Sequence, residues 1–232
     1  MINNIYDLII FDFDDTLFDY EKTEERALRE TFNYYELDYK SEYYEIFKEI
    51  NRELWKFHNL NNAQSTKAMK KQRFELFFKK IDLCFSATEF SNTYTEKSQK
   101  GDLIDGVEEV INKLYDGVQL VIASNGPCTP RIEKLQNSSI AGKLRFYSSE
   151  SFVESYKKPD PHFYYAILRD FRIDASKVLV VGDKLSTDIL CANRAELKSV
   201  LFKYRDHGES IEIAKPDYII NSFKQLLQIV YQ

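Results

Sequence analysis

The 232-residue sequence predicts an α/β fold, in which a doubly wound parallel sheet is interrupted after its first strand by an inserted bundle of helices. Short apolar runs alternate with amphipathic segments at both ends of the chain, a pattern typical of parallel sheets with helices on both faces. Between these regions, residues 19–100 contain no glycine and carry apolar side chains at helical spacing. Only 7 glycines and 5 prolines are present, which favours long regular elements over extended loops.

Continuous apolar runs bounded by turn residues predict the strands. They are Tyr6–Phe11, Val118–Ala123, Leu144–Tyr147, Val178–Val181, Ser199–Phe202 and Tyr218–Ile220. Helices are predicted between them at Val107–Tyr115, Pro130–Asn137, Pro161–Phe171, Thr187–Arg194 and Ser222–Val230. This alternation predicts a Rossmann-like core made of residues 1–17 and 102–232.

The remaining segment, residues 18–101, predicts an inserted helical bundle. Its helices are Glu21–Tyr35, Ser41–Trp55, Ala68–Ile81 and a weaker Phe85–Lys100. Four antiparallel helices joined by short loops would bury their aromatic faces against one another.

Composition and charge exclude several classes of protein. The 16 Tyr, 17 Phe and 1 Trp exclude intrinsic disorder, because disordered chains lack such apolar area. The net charge of −5 gives no positive field for a nucleic-acid polymer. No apolar run approaches the roughly 20 residues of a membrane span, and no secretory signal follows Met1. We therefore expect a cytoplasmic protein that binds neither nucleic-acid polymers nor membranes.

Polar residues follow the predicted strands where ligands of open parallel sheets collect. They are Asp12 and Asp14, Ser124 and Asn125, Lys157 and Lys158, and Asp183 and Asp188. Two carboxylates about 4 Å apart repel by roughly 4 kcal/mol at an effective dielectric near 20, so gathering four acids requires a counter-ion. All-oxygen ligands select a hard cation, and Mg²⁺ suits few carboxylates plus a substrate phosphate.

These motifs resemble those of the haloacid dehalogenase-like (HAD) hydrolase superfamily. Asp12-Phe13-Asp14-Asp15-Thr16-Leu17, Ser124-Asn125-Gly126, Lys158-Pro159 and Gly182-Asp183 with Asp188 occur in the family's order. The resemblance implies a doubly wound core with a mobile helical cap, whose hinges we expect near Leu17–Asp19 and Gly101–Asp105.

The resemblance also implies roles for these residues. Asp12 matches the nucleophile that becomes an aspartyl phosphate, and Asp14 matches the general acid and base, whose main-chain carbonyl also binds Mg²⁺. Ser124 and the amide of Asn125 match the phosphoryl-binding motif, and Lys158 the lysine that offsets negative charge. Asp183 and Asp188 match the metal-binding carboxylates. We therefore expect Asp12, Asp14, Asp183 and Asp188 to form the metal site.

Structural alternatives exist for some of these positions. Asp15 and Thr16 are equally well explained as turn or cap residues. Asp188 also suits the first turn of a helix, where the helix dipole favours an acid. Lys157 competes with Lys158 as the catalytic lysine. His162 and His207 are assigned no role.

The helical insertion gives the main indication of the substrate. Asn51-Arg52-Glu53-Leu54-Trp55 and Arg73-Phe74-Glu75 resemble the cap of bacterial pyrimidine 5′-nucleotidases of the HAD superfamily. The resemblance implies a small phosphorylated metabolite, a pyrimidine nucleoside monophosphate, with Trp55 and Arg52 as pocket residues, although Trp55 also suits the bundle interior. The alternatives are a sugar-phosphate or phosphoglycolate phosphatase and a HAD-like binding or regulatory protein with residual activity.

Overall fold

A computed structural model describes residues 4–56, 63–126, 128–152 and 155–231. The chain forms two compact units. The sheet unit comprises Met1–Tyr20 and Gly101–Gln232, and the helical unit comprises Glu21–Lys100. Of the residues described, no helix is long and apolar enough to cross a membrane.

The sheet unit is built on six parallel strands. They are β1 (Leu8–Phe11), β2 (Gln119–Ser124), β3 (Arg145–Ser148), β4 (Val178–Gly182), β5 (Lys198–Phe202) and β6 (Tyr218–Ile220). Their order is β3-β2-β1-β4-β5-β6, so the chain builds outward on one side of β1 and then crosses to the other. The predicted α/β class and doubly wound sheet are confirmed.

Successive side chains of a strand point to opposite faces of the sheet, so alternate residues pack into two separate apolar layers. Ile9 and Phe11 of β1 pack in one layer, and Leu8 and Ile10 pack in the other. All four side chains are fully buried. Strand β1 therefore has both faces covered, which is why its sequence is apolar throughout rather than alternating.

Helices cover both faces of this sheet. They are α5 (Val107–Leu114), α6 (Cys128–Gln136), α7 (His162–Phe171), α8 (Leu190–Arg194) and α9 (Leu226–Val230). The prediction of one regular helix over Thr187–Arg194 was wrong, because the segment begins with a π-helical turn over Leu185–Ile189 and only then continues as α8. The carboxylate of Asp188 accepts a hydrogen bond from the Lys184 amide (3.1 Å), which fixes this turn beside the end of β4.

The helical unit contains α1 (Tyr20–Tyr34), α2 (Glu42–Lys56), α3 (Ala63–Ile81) and α4 (Ala87–Lys97). Its core is aromatic: Phe32, Phe47, Phe74 and Phe90 are almost completely buried. Their rings meet edge-on or tilted, the arrangement that the ring quadrupoles favour.

A buried polar cluster lies within this aromatic core. Asn51 donates a hydrogen bond to Glu24 (3.0 Å) and accepts one from Arg73 (3.0 Å). The Arg73 guanidinium carbon lies 4.8 Å from the ring centroids of both Phe47 and Tyr94. Charge pairing and ring contacts together compensate for burying this guanidinium.

Candidate active site

The site forms at the carboxyl ends of β1 and β4, where the strand order reverses. The two strands pair in register, with Phe11 opposite Val181. The Asp12 amide continues the ladder by donating to the Val181 carbonyl (2.9 Å). Asp12 and Asp183 therefore follow adjacent strands, and their carboxylates are brought together by the sheet itself.

Three carboxylates converge there. Oxygens of Asp12, Asp183 and Asp188 all lie within 4.8 Å of one another. Asp188 comes this close because residue 182 is glycine: a Cβ at Gly182 would lie 2.3 Å from the Asp188 Cβ. Asp183 and Asp188 are buried.

Lys158 lies between two of these acids. Its Nζ donates to Asp12 Oδ1 (2.5 Å) and to Asp188 Oδ1 (2.6 Å), and its side chain is only 2% exposed. Burial lowers the pKa of the Lys158 ammonium, but the two carboxylates outweigh this effect and raise it overall. Lys158 therefore stays charged, and it, rather than Lys157, reaches the predicted nucleophile.

The backbone of Lys158 is held by Asn125, in a way that the sequence did not indicate. The Asn125 side chain donates to the Lys158 carbonyl (2.8 Å) and accepts from the Lys158 amide (2.8 Å). Both bonds join the segment after β2 to the segment before α7. Ser124, at the end of β2, is buried, and its hydroxyl oxygen accepts from the Gly126 amide (3.4 Å).

Lys158 does not fully offset the cost of ionising Asp12 among these acids. Burial raises the pKa of Asp12 to about 7, supported by Asp188 and Asp183 and opposed by Lys158. A further positive charge would stabilise the ionised form of Asp12, and the groups that converge there are carboxylate oxygens of Asp12, Asp183 and Asp188. The residues present therefore fit a hard divalent cation.

Asp14 faces a different cation. Its Oδ2 forms an ion pair with Arg131 of α6. Burial raises the pKa of Asp14, but Arg131, and then Lys134, outweigh this effect and lower it overall. Sequence analysis missed Arg131, because nothing in a helical segment marks one arginine as the partner of a carboxylate so distant along the chain.

The turn after Asp14 is tied to the same site. Asp15 adopts φ +59°, a left-handed turn conformation that aspartate tolerates, and accepts a hydrogen bond from the Tyr20 amide (3.1 Å). The Thr16 hydroxyl donates to Asp183 Oδ1 (3.3 Å). The turn explanation thus holds for Asp15, whereas Thr16 contacts a site carboxylate directly.

The loop after β5 supplies three side chains that sequence analysis assigned no role. Arg205 pairs with Asp15 (3.1 Å), His207 Nε2 lies 2.6 Å from Asp183 Oδ2, and Glu209 accepts from the Leu185 amide (2.6 Å). The adjacent Asp183 carboxylate raises the pKa of the His207 imidazole. These contacts were not predictable from the sequence, because polar residues fill this loop without a period that would mark one face.

Comparison with known proteins identifies the family. A family model described as haloacid dehalogenase-like hydrolase matches residues 9–202. The chain belongs to the HAD hydrolases. The resemblance predicted from the sequence is therefore confirmed.

This HAD hydrolase is similar in sequence or structure to the following three proteins. Pyrimidine 5′-nucleotidase PynA of Streptococcus pneumoniae is 25% identical, over 96% of this chain and 94% of that protein. A phosphoglycolate phosphatase of Vibrio vulnificus is 31% identical, over 61% of this chain and 62% of that protein. The magnesium-bound crystal structure of the HAD-hydrolase YfnB from Bacillus subtilis has the same fold, with a TM-score of 0.78, 24% identity and coverage of 97% and 98% of the two chains.

The predicted pocket residues of this HAD hydrolase lie on α2. Arg52 is exposed and lies 4.0 Å from Glu53, and Trp55 is half-buried. Arg73 instead points into the polar cluster inside the helical unit. The assignment of Trp55 and Arg52 to a substrate pocket stays a prediction.

Proposed function

We propose that this HAD hydrolase is a phosphatase that hydrolyses phosphomonoesters through an aspartyl phosphate on Asp12. The supporting observation is the contact of Lys158 with both Asp12 and Asp188, beside the Asp183 carboxylate, at the reversal point of the sheet. The branch of the family that displaces halide lacks an acid at the position of Asp14, since halide needs no proton. An acid two residues beyond the nucleophile therefore favours a phosphatase.

The proposed reaction has two displacements at phosphorus. The Asp12 carboxylate attacks phosphorus, the bond from phosphorus to the ester oxygen breaks, and Asp14 gives that oxygen its proton. Asp14 then takes a proton from water, whose oxygen attacks the aspartyl phosphate and releases phosphate and the Asp12 carboxylate. Lys158 stays charged and offsets negative charge on Asp12 and the phosphoryl oxygens.

The carboxylates of Asp12 and Asp183, with the main-chain carbonyl of Asp14 and support from Asp188, would hold Mg²⁺. When bound, this ion supplies charge neutralisation between the nucleophile and the phosphoryl group. The proposal follows from the oxygen donor set and from the cost of ionising Asp12 among the three acids.

We further propose pyrimidine nucleoside monophosphates as the substrates. The match to PynA extends over both units of the chain, whereas the match to the phosphoglycolate phosphatase covers 61% of it. Because substrate choice in this family resides largely in the cap, a relative that matches the helical unit carries more weight. Stacking of Trp55 on a base would contribute about 1–3 kcal/mol.

Turnover of a substrate panel with Mg²⁺ tests both levels of the proposal. We expect UMP, dUMP and dTMP to be hydrolysed faster than phosphoglycolate and sugar phosphates, and Asp12→Asn to abolish turnover without loss of fold. Faster turnover of sugar phosphates would refute the nucleotidase assignment. Activity of Asp12→Asn within about tenfold of the parent would refute the nucleophile. No turnover of any ester would favour a binding protein.

A variant pair tests the pocket. We expect Trp55→Ala to raise KM for UMP by about tenfold, the loss of one stacking contact, and to leave KM for phosphoglycolate unchanged. Tyr34→Ala is the matched control, since Tyr34 is an exposed aromatic (63%) of the same unit. Equal effects of the two variants would remove Trp55 from the pocket.

A further inference from the structure

Arg131 is a charged residue of the site that the proposed mechanism leaves without a function. It lies in the first turn of α6, directly beyond the Ser124–Gly126 segment. Its Nη2 pairs with Asp14 Oδ2, and its side chain is 20% exposed. Its Nε is buried and has no hydrogen-bond acceptor among the residues that the structure describes. The guanidinium thus has an unused donor beside the predicted acid.

The guanidinium lies directly on the phosphoryl-binding segment. A Cβ at residue 126 would be 1.7 Å from Arg131 Nη1 and 2.1 Å from its Cζ, so the guanidinium lies against the backbone of Gly126 in the position it occupies here. On its other side, Cζ lies 5.8 Å from the ring centroid of Phe13. Arg131 therefore lies between the Asp12–Asp14 turn and the segment that begins with Ser124.

The negative charge of both acids reaches Arg131. Asp14, and more weakly Asp12, raise the pKa of its guanidinium against the effect of burial. A phosphoryl group on Asp12 would bring further negative oxygens into the same field. Guanidinium matches phosphate through paired N–H donors, a geometry that a single carboxylate oxygen does not satisfy. A phosphoryl group is therefore a competing partner for Arg131.

We propose that Arg131 is a phosphoryl-binding residue that exchanges partners, pairing with Asp14 in the free protein and with a phosphoryl oxygen in the complex. The proposal rests on the proposed phosphatase function, which places the phosphoryl group between Asp12 and Ser124. Once substrate is bound, the exchange leaves the Asp14 carboxylate without its ion-pair partner. Asp14 is then free to exchange a proton with the ester oxygen, which its proposed role requires.

A double-mutant cycle with inorganic phosphate as the ligand tests this exchange. Kd is measured by calorimetry with Mg²⁺ for the parent, Arg131→Gln, Asp14→Asn and the double variant. We expect Arg131→Gln to weaken binding by about tenfold, the effect of one charge-assisted hydrogen bond. Asp14→Asn is expected to tighten binding by about threefold or more, because it removes the competing partner and a repelling charge.

The decisive comparison is made in the Asp14→Asn background. If Arg131 binds phosphate, Arg131→Gln costs more there, about thirtyfold, since the full interaction is lost. If Arg131 only anchors Asp14, the substitution changes Kd by less than about threefold there, which would overturn the proposal. Lys134→Gln, one turn further along α6, is the control for general charge and should change Kd by less than about threefold.

The remaining outcomes separate this inference from the proposed function. A parent protein that hydrolyses no phosphomonoester, yet gives the expected cycle, would refute the phosphatase and support the exchange. If the parent hydrolyses esters but Arg131→Gln leaves phosphate binding unchanged in both backgrounds, the phosphatase is supported and the exchange is refuted. Circular dichroism verifies the fold of each variant, and Asp14→Ala replaces Asp14→Asn if the latter does not fold. Failure of the parent to bind phosphate at all would overturn the proposal.

Discussion

Replacing Lys158 with methionine removes a buried charge that contacts the carboxylates of Asp12 and Asp188 at 2.5 and 2.6 Å, while preserving most of the side-chain volume. At an effective dielectric near 20, each contact is worth about 6 kcal/mol before desolvation. Desolvation of the ammonium cancels much of this, and breaking a buried pair typically costs about 3–5 kcal/mol. We expect that loss in the free energy of unfolding of the metal-free protein.

For a protein of this size the loss corresponds to a decrease in Tm of about 6–20 °C. Thermal unfolding followed by circular dichroism in the presence of a chelator measures it. Mg²⁺ should reduce the difference, because a bound dication compensates the same carboxylates. In turnover assays we expect kcat to fall by about a thousandfold, the typical cost of removing one group that stabilises transition-state charge.

Lys157→Met is the matched control, since it makes the same chemical change one residue earlier. We expect it to change Tm by less than about 2 °C and kcat by less than about threefold. If Lys158→Met retains kcat within about tenfold of the parent and the parent Tm, the electrostatic reasoning for this site is wrong. Equal effects of both substitutions would also contradict the choice of Lys158 over Lys157.

Three further predictions concern other parts of the molecule. His207→Asn should weaken Mg²⁺ binding by about tenfold, because it removes the imidazole that contacts Asp183 Oδ2 and helps to orient this carboxylate. The midpoint of the Mg²⁺-dependent rise in Tm measures the effect, and an unchanged midpoint would contradict it. Arg73→Met should lower the free energy of unfolding by about 3 kcal/mol, because the buried cluster loses the guanidinium that binds Asn51 and lies 4.0 Å from the Glu24 carboxylate. Urea titration measures the loss, and a neutral result would show that the cluster is not ion-paired in solution. Lys198 and the Ser199 amide outweigh burial and lower the pKa of Asp217, so this carboxylate stabilises the fold at neutral pH and the contribution is lost as pH falls below about 4. Asp217→Asn should therefore cost on the order of 1 kcal/mol at pH 7 and progressively less as the pH falls below about 4, and a pH-independent cost would refute this linkage.

The acids of the site were predictable from the sequence, because the sheet imposes their positions. Asp12 and Asp183 follow apolar strands, and parallel strands present their carboxyl ends at one edge. Asp188 follows Asp183 closely enough for a single turn to bring both into the site. Gly182 adds the close approach that the turn needs.

The positively charged residues of the site, and the side chains that contact its acids or hold its backbone, were harder to predict. Arg131 lies 117 residues from Asp14 along the chain, and only the packing of α6 on the sheet brings them together. Asn125 was predicted for its amide, whereas its side chain holds the Lys158 backbone. His207 lies in a loop without periodicity, where sequence patterns carry little information about contacts. Such pairings depend on tertiary packing, which local propensity does not record.

The central position of β1 has a consequence for biosynthesis. Leu8 pairs with Gln119 on one side and with Val178 on the other, so this strand leaves the ribosome long before either neighbour exists. At about 5–20 residues per second, the roughly 110 further residues that precede β2 require about 6–22 s. During that interval Leu-Ile-Ile-Phe has no sheet to join, whereas the helices of residues 21–100 need only each other. The nascent chain thus carries an apolar segment without a strand partner during this interval, and we expect the yield of folded protein to depend on chaperones that hold short apolar segments.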